Sequence, residues 1–262
     1  MIKKGRSPWR IQRSVIYALF LREIRGRFGK YRLGYLWAVL QPLLHILAMA
    51  LIFGHASKKG MPEVDYLVLL TSGFVPWFFF SQTVNKCMSA VDGNRSLFSY
   101  RQVKPIDAIL ARMQVEFVTY AVLMMALLSV GWLLGRNVSM ADPVGVLCSY
   151  LLLILIASAF GTVFCIAAAF SDDVPRFVPI LMRPLYFVSG LFFPLSVIPP
   201  DMRYLFDWNP ILHFVELSRG HWFSSYPAVI TTYDYLVKCV LVAMFLALLL
   251  YRRFRIRLVT TV

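Results

Sequence analysis

The sequence predicts an all-α polytopic membrane protein with six transmembrane helices and an N-terminal amphipathic interface helix. The first observation is composition: hydrophobic residues make up 59% of the chain and charged residues 15%, against about 45–50% and about 25% in soluble domains. The second is that several apolar runs approach or exceed the roughly 20 residues that cross a bilayer. The third is that basic residues gather at the ends of those runs, as membrane topology requires.

The predicted spans cover residues 34–54, 66–84, 109–134, 144–170, 178–198 and 233–251. The first span is interrupted by Gln41, Pro42 and His45, so we expect a kinked helix whose polar side faces protein. The fourth span carries no charged residue along its whole length and is the clearest of the set. An even number of spans brings both termini to the same side of the membrane.

Lysine and arginine are distributed unevenly around these spans. With a cytoplasmic N-terminus, 21 of the 27 basic residues fall on the cytoplasmic side, 5 on the opposite side and 1 within the last span. The positive-inside rule therefore predicts that both termini lie in the cytoplasm. The same distribution accounts for the net charge of +14, so a nucleic-acid partner is not expected.

The N-terminal interface helix is predicted over residues 11–30. Its apolar residues recur at helical spacing and share one face, namely Tyr17, Phe20, Leu21, Ile24 and Phe28. We assign the charged positions Arg22, Glu23, Arg25 and Arg27 to the rest of its circumference. A helix of this kind lies in the membrane surface with its cations among lipid headgroups.

The sequence holds no motif for chemistry of its own. A phosphate-binding loop is missing, because the glycines around Arg27 have neither the spacing nor the context of one. The cysteines Cys87, Cys148, Cys165 and Cys239 lack metal-ligand spacing, and histidines and carboxylates form no cluster along the chain. We therefore expect no catalytic residue, no metal site and no cofactor in this chain, and any energy-consuming step must come from a partner.

Polar and aromatic residues inside the spans have two interpretations each. Asp234 and Lys238 stand four residues apart, so mutual pairing is favoured over a substrate contact, and Glu116 is favoured as a partner of Arg112. His45 is interpreted as a helix–helix contact. Four further residues are candidates to line a channel: Trp77, Arg183, Tyr186 and Phe187. Snorkelling to the headgroups is an equal alternative for Arg183, and the aromatic belt or core packing is favoured for each of the three aromatic residues.

The polar segment after the second span, residues 92–105, mixes basic and apolar side chains. One interpretation is a solvated loop that touches headgroups. The other is a short helix that docks a cytoplasmic protein, with Leu97, Phe98 and Tyr100 as apolar anchors beside Arg101.

Four stretches of the chain, taken in order, resemble one family. They read FLREIRGRFGKYRLGYLWAVLQPLLH, LFSYRQVKPIDAILAR, PILMRPLYFVSGLFFPLSVIP and WNPILHFVELSR. Together they are similar to the inner-membrane permeases of bacterial capsular polysaccharide ABC exporters. These permeases are of the ABC-2 type, alongside permeases for O-antigen and teichoic acid export, and the resemblance extends over nearly the whole chain.

The resemblance implies an assembly around this chain. Two copies of the permease would pair above two cytoplasmic ATPase subunits, which would hold the ATP and Mg²⁺. The N-terminal helix and residues 92–105 would transmit ATP-driven motion, and residues 199–227 would form a periplasmic gating segment. The substrate would be a capsular polysaccharide or glycolipid, acidic and lipid-linked in the best-known members. Membrane lipids, a periplasmic adaptor and outer-membrane export proteins are further expected partners.

Three alternatives remain open at this stage. The cargo could be O-antigen or another cell-surface glycan. A membrane-embedded glycolipid-modifying enzyme would need histidines or carboxylates gathered at one membrane level, and the sequence does not assemble such a group. A passive channel would need no ATPase partner.

Overall fold

A computed structural model describes residues 7–28, 34–57 and 65–260, and every regular element within those ranges is helical. The α-helices are α1 (Pro8–Phe28), α2 (Gly34–Ser57), α3 (Tyr66–Met88), α4 (Pro105–Leu133), α5 (Pro143–Ala168), α6 (Val174–Val188), α7 (Pro210–Trp222), α8 (Asp234–Phe254) and α9 (Arg257–Thr260). Three 3₁₀ segments interleave with them, at Asp92–Leu97, Leu195–Val197 and Pro200–Leu205.

Local chemistry explains where several helices begin. The carboxylate of Asp65 accepts from the N–H of Leu67 at 3.0 Å and caps α3, and the side chain of Asn209 caps α7 in the same way. Pro105, Pro143 and Pro210 occupy first-turn positions of α4, α5 and α7. Proline fits there because the first-turn N–H groups have no partner within the helix.

The helix α3 lies at the centre of the bundle and contacts α2, α4, α5, α6 and α7. Most of its side chains are buried, including Phe74 and Val84 at 0% exposure. The helix α8 is the opposite case, since it packs on α5 and α7 and leaves a long apolar face exposed that includes Leu241 and Phe245. An exposed apolar face of that length suits contact with lipid.

A second hydrophobic cluster gathers the segments that were predicted to be cytoplasmic. It joins the end of α3, the start of α4, the end of α5 and the end of α8 to Leu258 of α9. The helix α1 packs against the same start of α4. The N- and C-terminal helices therefore lie at one end of the bundle.

The spans agree with the sequence prediction more closely in some places than in others. Four described helices are long and apolar enough to cross a membrane, namely α3, α4, α5 and α8, and α2 contains the shorter apolar stretch Val39–Ile52. The fifth span, predicted over residues 178–198, needs correction because α6 is a 15-residue helix that ends at Val188. Gly190 then turns the chain with a φ of 65°. The membrane-helical fold is confirmed, and the count of six spans stays a prediction.

Candidate docking and gating sites

The docking loop, defined here as residues 89–104 between α3 and α4, lies at the end of the bundle that holds the termini. Phe98 is only 7% exposed and packs among Cys87, Ile109 and Leu258. The prediction that Phe98 is an exposed anchor is therefore wrong, because its ring fills the cluster that closes this end of the bundle. Leu97 is half-buried, whereas Tyr100 is 62% exposed and Arg101 is also exposed. The surface that a docked partner could reach is thus formed by Tyr100, Arg101 and part of Leu97.

The helix α1 holds the docking loop from one side. Arg22 donates from Nη2 to the carbonyl oxygen of Gly93 at 3.1 Å and to the side-chain oxygen of Asn94. Asn94 is buried at 3% exposure and donates to the carbonyl of Ala90 at 2.8 Å. Arg22 therefore binds a loop whose backbone is already held by the buried side chain of Asn94.

Arg112, from the second turn of α4, holds the same loop from the other side. Its Nη1 donates to the carbonyl oxygen of Lys86 at 2.6 Å and to the hydroxyl of Ser89, and its Nε lies 3.4 Å from Oε1 of Glu23. A Cβ atom placed on Gly93 would stand 2.8 Å from Nη2 of Arg112. We name the set of Arg22, Glu23, Gly93, Asn94 and Arg112 the docking-loop clasp.

The clasp changes the interpretation of α1. The residue of α1 most buried among those described is Leu19 at 6% exposure, while Tyr17 from the predicted apolar face is 60% exposed. Gln12, two turns before Leu19, donates to Asp107 of α4 at 3.0 Å. Glu23, one turn after Leu19, meets Arg112. The buried face of α1 is therefore a mixed polar and apolar face that packs on protein.

The four charged residues assigned to α1 separate in the structure. Arg22 donates to the docking loop, which corrects the assignment of this cation to lipid headgroups, and Glu23 lies beside Arg112 of α4. The reason is that the carbonyl of Gly93 and the guanidinium of Arg112 need polar partners, and α1 supplies one to each. Arg25 is exposed, as a headgroup contact requires. The side chain of Arg27 lies outside the described residues.

The segment after α6 is built around Arg219, which is fully buried at 0% exposure. Its guanidinium donates to the carbonyl oxygens of Gly190 at 2.7 Å, Leu191 at 2.8 Å and Leu69 at 3.1 Å. Those carbonyls belong to the turn after α6 and to α3, so one side chain on α7 ties three parts of the chain together. Each carbonyl would lose a buried donor without Arg219, at a cost of about 1–3 kcal/mol per unsatisfied group.

Glu216 lies one turn before Arg219 on α7 and is also fully buried. Its carboxylate accepts from the N–H of Leu195 at 3.0 Å, the hydroxyl of Tyr226 at 2.5 Å and the N–H of Val229 at 3.4 Å. Burial raises the pKa of Tyr226, so its phenol remains a neutral donor to Glu216. Glu216 therefore fixes the irregular chain on both sides of α7.

The four residues predicted as channel candidates differ in how far they are exposed. Trp77 is 3% exposed and packs against Phe80 and Tyr186 inside the bundle, which supports core packing, the favoured alternative, over a place in the channel lining. Its position on the central helix α3 accounts for that burial. Tyr186 is half-buried, whereas Arg183 and Phe187 are exposed on α6. The two exposed channel candidates, Arg183 and Phe187, thus both lie on α6.

The interpretation of His45 as a helix–helix contact is confirmed. Its Nε2 lies 2.7 Å from the hydroxyl of Tyr186, which joins α2 to α6. The ring also makes edge contacts with Phe74 and Phe78 of α3, at centroid distances of 5.4 Å each. The predicted pair of Asp234 and Lys238 is confirmed as well, at 2.6 Å.

Sequence reasoning missed the roles of Glu216, Arg219 and Asn209. Arg219 was counted as a periplasmic cation, although it carries three buried hydrogen bonds. Asn209 donates to the hydroxyl of Ser189 at 2.9 Å while it caps α7. The available signal was the stretch WNPILHFVELSR, in which a glutamate and an arginine three residues apart stand in a largely apolar helix.

The fold and these sites define a class of protein before any comparison. The chain is a helical membrane protein whose polar side chains hold loops and helix ends, and the part of the chain that is described gathers no group of three His, Cys, Asp or Glu residues able to hold a metal ion. The chain belongs to the ABC-2 type transporter family, whose sequence model matches residues 14–223.

Curated relatives resemble the chain along most of their length. The polysialic acid transport protein KpsM of Escherichia coli is 38% identical over 248 residues, which cover 95% of this chain and 96% of KpsM. The capsule polysaccharide export inner-membrane protein CtrC of Neisseria meningitidis is 29% identical, covering 93% of this chain and 92% of CtrC. The O-antigen export system permease protein RfbA of Myxococcus xanthus is 27% identical over 72% of each chain.

Proposed function

We propose that the chain is the transmembrane permease of an ATP-driven exporter that moves a capsular polysaccharide from the cytoplasm to the periplasm across the inner membrane. The observation that carries the proposal is the 38% identity to KpsM over nearly the full length of both chains. The similarity to CtrC supports the same class of cargo. An acidic, lipid-linked polymer is the specific cargo that we propose.

ATP hydrolysis would take place on a separate subunit. The sequence has no phosphate-binding loop, and family membership supports an ATPase partner. We propose that two ATPase subunits dock on two copies of this chain through Tyr100, Arg101 and the exposed part of Leu97. The docking-loop clasp would then pass the movement of the loop to α1 and α4.

The orientation that we propose places both termini in the cytoplasm, supported by the 21 basic residues on that side against 5 on the other. Reporter fusions after Asn137 and Asp207 should then give periplasmic signals, and a fusion after Val259 a cytoplasmic one. A cytoplasmic signal from either of the first two fusions would contradict the orientation.

The direct test is deletion of the gene in its own host, followed by assay of polymer on the cell surface and in the cytoplasm. Loss of surface capsule with accumulation of polymer inside the cell, both reversed by the wild-type gene, is the expected result. Gentle solubilisation should also recover an ATPase subunit with the chain. Capsule that still reaches the surface after deletion would refute the proposal.

The second candidate is export of O-antigen, which the similarity to RfbA favours. The same deletion strain separates the two, because an O-antigen exporter would leave capsule in place and remove long lipopolysaccharide from the surface. Recovery of the chain without an ATPase would instead favour a passive channel, and polymer of altered structure would favour a glycolipid-modifying enzyme.

A further inference from the structure

A shallow groove runs along the outer face of α8 and ends at two arginines. The residues that line it stand at positions i, i+3, i+4, i+7 and i+8 of the helix, namely Phe245, Leu248, Leu249, Arg252 and Arg253. Residues at that spacing share one helix face. The three apolar side chains are 50–65% exposed and come first along the helix. The face therefore changes from apolar to cationic toward the end of the bundle that holds the docking loop.

The opposite face of α8 packs on protein. Ala247 is 3% exposed, and Tyr251 and Phe254 pack on the hydrophobic cluster that closes the docking-loop end of the bundle. The ring of Phe254 also contacts the ring of Phe170, just after α5, at a centroid distance of 5.1 Å. The two arginines of the groove therefore extend from a helix that is already held in place, which lowers the ordering cost of binding a ligand there.

The positive charge of the groove has no acidic counterpart in the part of the chain that the structure describes. Within those residues, neither Arg252 nor Arg253 forms an ion pair or a side-chain hydrogen bond. The sequence of residues 235–262 contains no aspartate or glutamate. The carboxylate of Asp234 lies at the other end of α8 and pairs with Lys238. Two guanidiniums without carboxylates beside them are suited to an anion that comes from outside the chain.

The order of side chains along the groove matches the order of groups in a phospholipid. A guanidinium binds a phosphate through paired hydrogen bonds, and an acyl chain is apolar. Phe245 and Arg253 are eight residues apart, which is about 12 Å along the helix at about 1.5 Å per residue. That length fits within the hydrocarbon of one leaflet, about 15 Å thick. A soluble anion would contact the arginines and leave the apolar part of the groove unused.

We propose that this face of α8 is a binding site for an anionic phospholipid of the bilayer, such as phosphatidylglycerol, in the leaflet at the docking-loop end. Arg252 and Arg253 bind the phosphate, and one acyl chain lies along Leu249, Leu248 and Phe245. Two cations favour a headgroup of net negative charge over a zwitterionic one. The inference goes beyond the proposed function, because it does not depend on which polymer is exported.

A second copy of the chain is a poorer occupant of the groove. In a contact between two copies related by twofold symmetry, the same patch of surface faces itself. The arginines of one copy would then approach the arginines of the other, and residues 235–262 supply no carboxylate to separate them. Like charges brought together across an interface oppose association. An anionic lipid meets the same cations with the complementary charge.

The test is native mass spectrometry of the full-length protein in detergent, titrated with phosphatidylglycerol or with phosphatidylcholine of the same acyl chains. The first phosphatidylglycerol should bind with the lower Kd, and inorganic phosphate should not displace it. Combining Arg252→Gln with Arg253→Gln removes both charges and keeps two long polar side chains. This double variant should raise the Kd for phosphatidylglycerol about 20- to 30-fold, from about fivefold for each arginine at a membrane surface.

The matched control combines Arg10→Gln with Arg13→Gln. It removes two exposed arginines of α1, a helix that packs at the same end of the bundle. The Kd for phosphatidylglycerol should stay close to that of the wild type. Thermal unfolding then separates lost binding from lost folding. In phosphatidylcholine nanodiscs the wild type and the α8 double variant should share one Tm, whereas phosphatidylglycerol should raise the Tm of the wild type alone.

Three results would overturn the site. The first is an equal Kd for the two lipids in the wild type, or an unchanged Kd for phosphatidylglycerol in the α8 double variant. The second is equal weakening by the α1 control, which would reduce the effect to general attraction between a basic protein and an anionic lipid. The third is loss of self-association in the α8 double variant with lipid binding intact, which would assign the face to a second copy. These measurements need neither polymer nor ATPase, so their outcome is independent of the export assay.

Discussion

Phe98 and Tyr100 are aromatic residues of the docking loop, and replacing each with alanine should affect a different property of the protein. Phe98 is 7% exposed within the cluster that closes the end of the bundle. Removing a phenyl ring from a packed core costs about 3–5 kcal/mol, and each kcal/mol lowers Tm by about 2–4 °C in a chain of this size. Phe98→Ala should therefore lower Tm by about 10 °C. Tyr100 is 62% exposed, so Tyr100→Ala should change stability by no more than about 0.5 kcal/mol.

Binding to the ATPase subunit should separate the two variants further. An anchor residue at an interface contributes more than about 1 kcal/mol, so Tyr100→Ala should weaken the Kd for the ATPase about five- to tenfold. The assays are thermal unfolding in nanodiscs and titration with the purified ATPase. Tyr204→Ala is the control, because Tyr204 is 70% exposed outside the docking loop and should alter neither quantity.

Two outcomes would refute this reasoning. If Phe98→Ala kept its Tm and lost ATPase binding, Phe98 would be a docking anchor after all and the described burial would be incorrect. If Tyr100→Ala bound the ATPase with unchanged affinity, the exposed part of the loop would not be the docking surface. A combined aspartate substitution at Leu97 and Phe98 could not separate these cases, because it would disrupt the core and the surface together.

Two further experiments test the turn after α6 and the docking-loop clasp. Gly190→Ala forces a side chain into a φ of 65° and places Cβ 2.7 Å from Leu212, so the free energy of unfolding should fall by about 1–2 kcal/mol. The control is Gly26→Ala, which has open space around it and should keep or slightly raise Tm. A double-mutant cycle of Glu23→Ala and Arg112→Ala should give a coupling energy of about 0.5–1.5 kcal/mol, because their side chains are only 20% and 11% exposed. Additive effects of the two substitutions on Tm would show that the pair is not coupled.

Features set by local spacing could be predicted from the sequence. The helices follow from apolar runs, and the pair of Asp234 and Lys238 follows from their separation by one helical turn. His45 was expected to contact another helix because a polar ring within an apolar span needs a partner. None of these inferences depends on which helices are neighbours.

Features set by tertiary neighbours could not be predicted. Whether Trp77 lines a path depends on α3 being central, and whether Arg219 is a surface cation depends on the turn at Gly190 presenting two carbonyls to it. The hydrophobic pattern of α1 identified apolar residues but not the partner, so Leu19 was passed over in favour of the more exposed Tyr17. Burial of polar side chains is decided by partners far away in the chain.

The central position of α3 has a mechanical consequence for the exporter. The docking loop is continuous with the last turn of α3, yet α3 is packed on several sides by other helices and has no free face along which to shift. A force applied to the loop would therefore meet a rigid support on its upstream side. The contacts of Arg22 with Gly93 and of Arg112 with Ser89 join the loop to α1 and α4, so displacement of the loop would reach those two helices while α3 stays in place.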